Sequence, residues 1–349
     1  MMGENGRIVK NVIFFRNDFY DSSFSQGIHL PLCVADKSLP WWLMKEKRRF
    51  VAGAVNHCYQ KTVNGELIFY SVSDYLVCFT HISVASRRHA VSVLSQVLMP
   101  DHLHGSVVAD KKSELEAFVQ DYTSHFARAH NALCHRNEPL FRPFGSAPKS
   151  GSKDVRSNLI YLGNNGPERK LSTVAEGYRW SFLPYFQSKH PFSEKLRLEH
   201  ATHPMRQAIR EVQAFRKAEL PMSYAAIRRL TAKLTDVEKN QLADYIISAY
   251  QYIEYDAAIA YFGDYQTMLE AMHASKGTEY EIKEEFVGWD DKVYGQMSKL
   301  IQTHVCRTDV HDFLAWSEDK RRELFAFLKD NTDATARQVY KFLRCPPGT

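Results

Sequence analysis

The sequence predicts an α+β protein in which a ferredoxin-like, antiparallel-sheet domain is followed by an all-helical C-terminal region. Between residues 47 and 190, short apolar runs typical of strands alternate with stretches whose apolar residues recur at helical spacing. Beyond about residue 195 the helical spacing dominates. A chain of 349 residues is also too long for one typical domain. We therefore expect an N-terminal extension, the α+β domain, a helical region and a helix-turn-helix segment, at residues 1–46, 47–190, 195–310 and 311–349.

The elements of the α+β domain follow from apolar runs and from the residues that interrupt them. Such runs predict strands or extended segments at residues 50–58, 66–70, 91–99, 102–108 and 140–144. Helical spacing predicts helices at residues 73–87 and 113–131. A stretch rich in Gly, Ser and Lys at 145–153 predicts a loop before the next helix.

Two histidines follow the break between two of these strands. The apolar run at 91–99 stops at Pro100, and the extended pattern resumes at His102. Successive side chains on a strand point to opposite faces, so His102 and His104 share one face while Leu103 lies on the other. Two imidazoles side by side on a rigid strand supply two of the ligands that a metal site needs.

The next predicted helix carries a phenol and an amide one turn apart. An apolar stripe starts at Val155 and recurs at spacings of four and three residues. Tyr161 and Asn165 are spaced by four, so they lie together on another face. Gly166-Pro167 is predicted to end the helix.

In this order the residues resemble those of the single-tyrosine HUH transposases, most closely the REP-associated tyrosine transposases. Met-Pro-Asp-His-Leu-His at 99–104 is similar to the family's Met-Pro-Asn-His-hydrophobic-His segment, with Asp101 in place of Asn and Gly105 after it. Tyr161 and the Tyr-Arg-Trp-Ser-Phe stretch at 178–182 follow in the family's order, with an additional Gly before the expected Pro. The similarity covers roughly residues 47–187.

The resemblance implies a chemistry as well as a ferredoxin-like fold. Tyr161 would be the nucleophile in the cleavage and transfer of single-stranded DNA at hairpin-forming repeats, through a covalent 5′-phosphotyrosine. His102, His104 and Asn165 would bind a divalent cation, and these neutral ligands leave the full charge of the cation for the scissile phosphate. Nitrogen-rich ligation is typical of zinc. An open site that shares its metal with phosphate, as in the family, instead indicates Mg²⁺ or Mn²⁺.

Basic residues that could contact DNA lie near this site and in the C-terminal segment. Those near the site are either contacts to a strand backbone or parts of a solvated loop, and they are Arg142, Lys149, Lys153 and Arg156. In the last segment, a helix at 317–328, a turn and a helix at 335–344 are predicted. The second helix carries a basic stripe formed by Arg337, Lys341 and Arg344. This pattern favours a DNA-binding helix-turn-helix, and the alternative is a small bundle with solvated basic residues.

The amino-acid composition limits the classes of protein, the compartment and the partners that we expect. The net charge of +5 and the pI of about 8.7 are compatible with nucleic-acid binding. Six scattered cysteines without a Cys-x-x-Cys pair argue against a disulfide framework or a zinc knuckle. No apolar run is long enough to span a membrane, so we expect a cytoplasmic protein, and the resemblance implies a bacterial, nucleoid-associated one. The expected partners are single-stranded DNA and DNA hairpins, with no membrane, and the expected state is a monomer or homodimer.

The sequence is compatible with two functions. The first is an active DNA transposase of the HUH tyrosine type, and the second is a domesticated, non-catalytic DNA-binding regulator of repeat elements. The presence of all four site residues favours the first. The aromatic residues at 178–182 are more typical of a core than of base stacking. The other histidines, namely His57, His125, His130 and His135, are expected to be surface or core residues.

Overall fold

A computed structural model describes residues 49–275 and 290–346 of the chain. Within these ranges the α+β prediction is confirmed, with four antiparallel strands in one sheet and helices around and after them. The strands are β1 (Val55–Lys61), β2 (Val91–Met99), β3 (His102–Ala109) and β4 (Gly145–Lys149). Across the sheet they are ordered β2-β3-β1-β4. The predicted N-terminal extension at 1–46 lies outside the described residues.

Two helices bury one face of the sheet. α1 (Val72–Arg88) and α2 (Lys112–Leu133) lie at the positions predicted from helical spacing. Leu103 and Val107 on β3 enter the same buried cluster as Phe118 of α2. Burial of these apolar side chains removes them from water, and it fixes which face of β3 is left for the histidines.

The opposite face of the sheet is covered by a third helix, α3 (Gly151–Glu168). Ser106 on β3 donates a hydrogen bond from its hydroxyl to Oδ1 of Asn158 on α3, at 2.8 Å, and both side chains are buried. His102 and His104 precede Ser106 by four and two residues, so strand alternation places all three on the face beneath α3.

The predictions for two segments of the α+β domain, 66–70 and 145–153, are wrong. Residues 66–70 form no strand, and this segment instead crosses the β2–β3 turn, where the Ile68 N–H donates to the carbonyl of Pro100 at 2.9 Å. The predicted loop at 145–153 contains β4, which pairs with the outer edge of β1. A side chain at Gly145 would overlap the ring of Tyr59, so this glycine serves the strand pairing and does not mark a loop.

The helix that carries Tyr161 is longer than predicted. It begins after Ser150 and continues through Gly166 and Pro167 to Glu168. Pro167 has no N–H to donate to the carbonyl four residues earlier, and the helix ends one residue after it. A Cβ on Gly166 would come within 2.6 Å of the Cβ of Tyr178, so the glycine allows α3 to pack closely against the segment that follows.

The C-terminal half is helical where the structure describes it. Its helices are α4 (His203–Lys217), α5 (Tyr224–Thr231), α6 (Asp236–Ala249), α7 (Tyr255–Ile259), α8 (Tyr265–Ala274), α9 (Lys292–His304), α10 (Glu318–Arg322), α11 (Leu324–Asp330) and α12 (Ala336–Leu343). The predicted helix at 317–328 is therefore divided into two at Glu323, whereas α12 matches its prediction closely. In the ranges described, no helix is both long and apolar enough to cross a membrane.

Two buried clusters connect these helices to the α+β domain. The larger cluster contains Val97 of β2 together with Val212 of α4 and Ile246 of α6. The second joins Leu67 and Tyr70 to apolar residues of α9 and α12. The C-terminal helices therefore bury apolar surface against the α+β domain, and the domain limits expected from the sequence remain predictions.

Candidate metal and nucleophile site

The structure brings the predicted histidine pair and the predicted nucleophile together. His102 and His104 are buried, and their ring centroids lie 4.8 Å apart with the ring planes nearly perpendicular. Tyr161 projects from α3 onto this pair, with its ring centroid 5.6 Å from that of His104. The contact joins one strand and one helix across the face of the sheet that α3 covers.

A third histidine, which the sequence did not single out, completes this cluster. His57 on β1 is buried, and its Nε2 lies 3.0 Å from Nδ1 of His104. Its ring centroid is 5.8 Å from that of Tyr161. In the ladder, His57 is opposite Ser106 and Tyr59 is opposite His104, so the odd-numbered residues of β1 face the site. Alternation along β1 could have indicated His57 from the sequence. That inference needs the pairing of β1 with β3, which the sequence does not show.

A carboxylate orients the first histidine. Oδ1 of Asp101 lies 2.5 Å from Nδ1 of His102. Burial raises the pKa of the Asp101 carboxyl, but the adjacent His102 and Lys341 side chains outweigh burial and hold this pKa well below its usual range. An ionised carboxylate only accepts hydrogen bonds, so Nδ1 of His102 carries the donated proton. Nε2 of His102 is buried and has no hydrogen-bond partner among the described residues, as expected for a metal-binding nitrogen.

Asn165 lies one turn beyond Tyr161, as predicted. Its side-chain amide nitrogen donates to the carbonyl of Tyr161 at 2.9 Å, which leaves Oδ1 as the atom that could bind a cation. In residues 49–275 and 290–346, no group of three or more His, Cys, Asp or Glu side chains is arranged to hold a metal ion. A third protein ligand beside the two histidines would therefore be a donor of another kind, such as this amide oxygen.

The nucleophile candidate is enclosed in this structure. Tyr161 is 2% exposed and Asn165 is 5% exposed. A phosphodiester could reach the Tyr161 hydroxyl only if surrounding groups moved.

The basic residues predicted near the site differ in their exposure. Lys153 and Arg156 are exposed on the first turns of α3, and Lys149 is half-buried at the end of β4. Arg142 is also half-buried, and its backbone N–H donates to the carbonyl of Lys61 at 3.0 Å. Lys153 and Arg156 are the members of this group most accessible to a DNA backbone.

The predicted basic stripe of α12 is not a single exposed surface, because two of its three residues face the α+β domain. Arg337 is exposed. Lys341 forms an ion pair with Asp101 of the β2–β3 turn. The Arg344 side chain is 4% exposed, and its Nε lies 3.7 Å from a carboxylate oxygen of Glu66. Lys341 and Arg344 thus face the α+β domain, where each has an acidic neighbour.

The aromatic stretch after α3 belongs to the core, as predicted. Trp180 stacks on Tyr75 with ring centroids 4.3 Å apart, and Phe182 stacks on Phe79 at 4.5 Å. Both Trp180 and Phe182 are buried. These rings stabilise the packing of the helices and offer no exposed face to a base.

Comparison with known proteins adds one distant similarity. No protein-family model matches the chain, and no curated protein matches it. Among solved structures, the chain is similar to a REP-associated tyrosine transposase bound to a REP hairpin, with 17% sequence identity over 39% of this chain and 81% of that chain. The TM-score is 0.33. The similarity is distant and does not by itself assign the chain to a family.

Proposed function

We propose that this protein is a metal-dependent, single-strand DNA endonuclease and strand-transfer enzyme of the HUH tyrosine type, acting at hairpin-forming repeats. The observation that carries the proposal is the contact of Tyr161 with the buried pair His102 and His104, of which His102 is oriented by Asp101. A purely structural core has little use for two adjacent imidazoles, a carboxylate and a phenol. Buried polar groups stabilise poorly unless each is fully paired.

The arrangement of the sheet supports the same proposal. The chain order β1-α1-β2-β3-α2-β4 with the sheet order β2-β3-β1-β4 supports a split βαβ, ferredoxin-like domain. In this topology β3 is a central strand, which holds the histidines rigidly between two neighbours. Tyr161 lies on α3, which is outside the sheet. Small movements of α3 can therefore change the exposure of the Tyr161 hydroxyl without disturbing the histidines.

The chemical step follows from nucleophilic catalysis. The Tyr161 oxygen forms a bond to the phosphorus of a DNA phosphodiester, and the bond from that phosphorus to the 3′-oxygen breaks. The phenolic proton is lost, and the departing 3′-oxygen gains a proton. The resulting 5′-phosphotyrosine conserves the bond energy, so attack by a 3′-hydroxyl can later rejoin a strand.

The donor set fits a cation that binds phosphate. His102 would contribute Nε2, with His104 and Asn165 as further ligands, and Asp101 would keep His102 in the required tautomer. When bound, Mg²⁺ or Mn²⁺ would polarise the scissile phosphate. The exposed residues Lys153 and Arg156 would guide the strand toward the site by contacts to its backbone.

One observation favours a second candidate function. Tyr161 and Asn165 are almost fully buried, as expected if the protein binds repeat DNA without cutting it. A non-catalytic regulator would retain the fold and the basic surface but would not need the phenol. Its binding to DNA would be independent of the Tyr161 hydroxyl.

The two functions are separated by trapping of covalent complexes. The full chain is incubated with labelled single-stranded DNA from the repeats that flank its own gene, with Mg²⁺ or with chelator, and denatured on a gel. We expect a metal-dependent covalent band that is lost in Tyr161→Phe, while DNA binding stays unchanged. Tyr122→Phe is the matched control, because Tyr122 is buried in the core cluster with Cys58 on the other face of the sheet. DNA binding without any covalent band under all conditions would favour the regulator.

A further inference from the structure

Helix α12, although it is the last helix described, is anchored beside the β2–β3 turn. The hydroxyl of Tyr70 donates to the carbonyl of Phe342 at 3.0 Å. Arg344 donates to the carbonyl of Leu67 at 2.9 Å. The segment that contains Leu67 and Tyr70 is itself hydrogen-bonded to the β2–β3 turn, because the Ile68 N–H donates to the Pro100 carbonyl. These contacts fix α12 relative to the start of β3.

The anchored helix places one cation against the carboxylate that orients the first histidine. Nζ of Lys341 pairs with Oδ2 of Asp101, while Oδ1 of the same carboxylate is 2.5 Å from Nδ1 of His102. The three side chains are 18%, 16% and 7% exposed, respectively. Each carboxylate oxygen therefore has a different partner, and the chain Lys341–Asp101–His102 is largely shielded from water.

We propose that Lys341 is a positioning residue of the metal site, so that the C-terminal helix completes a site whose ligands all come from the α+β domain. This inference rests on the proposed function. Lys341 holds Asp101 in one rotamer by pairing with its Oδ2, and Asp101 in turn holds His102 with Nε2 toward the face that α3 covers. Without the lysine, Oδ2 of Asp101 loses its ion-pair partner, and the carboxylate has fewer contacts that keep it in one orientation.

The alternative is that Lys341 only attaches α12 to the domain. The ammonium also lies 5.8 Å from the ring centroid of Tyr294, a contact that is purely structural. Tyr70 and Arg344 supply independent anchors for the helix. Replacement of Lys341 by methionine keeps the aliphatic stem and removes the charge, so it separates positioning from attachment.

The first measurement is the tautomer of His102 in the metal-free full chain, at one fixed pH, from long-range ¹H–¹⁵N spectra of ¹⁵N-histidine-labelled protein. His102→Gln assigns the signal. In the parent protein we expect the tautomer with the proton on Nδ1. In Lys341→Met we expect a mixture of both tautomers, and in Lys341→Arg we expect the parent's pattern. An unchanged His102 signal in Lys341→Met overturns the inference.

The second measurement is Mn²⁺ affinity by titration with detection of free Mn²⁺ by electron paramagnetic resonance. Lys341→Met should bind Mn²⁺ about 10-fold or more weakly, and Lys341→Arg should recover most of the loss. Lys329→Met is the control, because it makes the same chemical change at an exposed position on α11. Equal affinity in Lys341→Met and the parent contradicts the inference. If the parent itself binds no Mn²⁺, the metal step of the proposed function fails, while the tautomer spectra still decide the role of Lys341.

Discussion

A buried histidine links the C-terminal part of the chain to α1, and it makes the stability of the protein depend on pH. His311 is 3% exposed. Its Nε2 lies 2.9 Å from Oδ1 of Asp74, which is fully buried, and its Nδ1 lies 2.6 Å from Oδ1 of Asp309. Tyr224 donates to the same Asp74 carboxylate at 2.8 Å. The imidazole is thus held between two carboxylates.

The size of the change in the free energy of unfolding with pH follows from the pKa of His311. Burial lowers this pKa, but the charges of Asp74 and Asp309 and their hydrogen bonds outweigh burial and raise it from 6.5 to about 9. Because the folded state holds the proton more tightly, the stabilisation is fully present below the unfolded pKa and is lost as pH rises through the folded pKa. Between pH 6 and pH 9 the free energy of unfolding should fall by about 3 kcal/mol from this group. Burial lowers the pKa of the neighbouring His130 to about 3, so His130 stays neutral throughout this interval.

The assay is equilibrium unfolding in urea at pH 6, 7.5 and 9, with the free energy of unfolding compared at each pH. The glutamine side chain in His311→Gln cannot be protonated. The decrease in the free energy of unfolding between pH 6 and pH 9 should therefore be smaller than in the parent, by most of the contribution of about 3 kcal/mol from His311. His200→Gln is the control, because His200 is exposed and its replacement should leave the pH dependence of the parent. If the His311→Gln protein loses as much stability between pH 6 and pH 9 as the parent, the reasoning is refuted.

Two further predictions concern the packing of α3. Gly166→Ala should lower the free energy of unfolding by about 1–3 kcal/mol, because the added Cβ would lie 2.6 Å from the Cβ of Tyr178. Gly295→Ala, on α9 with nothing within 4 Å of the added atom, should not destabilise the protein, and equal effects in the two variants would argue against crowding. Ser106→Ala should cost about 1–3 kcal/mol in thermal or urea unfolding, because it leaves Oδ1 of the buried Asn158 without its donor. Adding Asn158→Leu should recover part of that loss, and no recovery would mean that the hydrogen bond is not the cause.

The strand that carries His102 and His104 and the strand before it were predictable because their signals are local. An apolar run, a Pro-Asp break and a resumed alternation define β2 and β3 without reference to any other segment. β4 was missed because Gly-Ser-Ala-Pro-Lys contains no apolar run, and it becomes a strand only by pairing with β1. Local composition does not contain such a pairing.

The candidate site likewise contains residues that local spacing predicts and residues that depend on how distant segments pack. His102, His104 and Tyr161 were found from spacing along one strand and one helix, and the structure brings them into contact. His57 depends on the register of β1 against β3, and Lys341 depends on the docking of α12 more than 200 residues later. The basic spacing on α12 indicated a surface for DNA, whereas two of its cations are used to bind the α+β domain. Helical periodicity identifies a face, but only packing shows what that face contacts.

The most direct test of the proposed function is the identity of the residue that becomes attached to DNA. The full chain is reacted with a single-stranded hairpin repeat in Mg²⁺, denatured, digested with nuclease and protease, and analysed by tandem mass spectrometry. The proposal predicts a nucleotide 5′-phosphate on Tyr161, found only with the cation and only with DNA. A nucleotide on another residue, or cleavage of the DNA with no nucleotide on Tyr161, would contradict it.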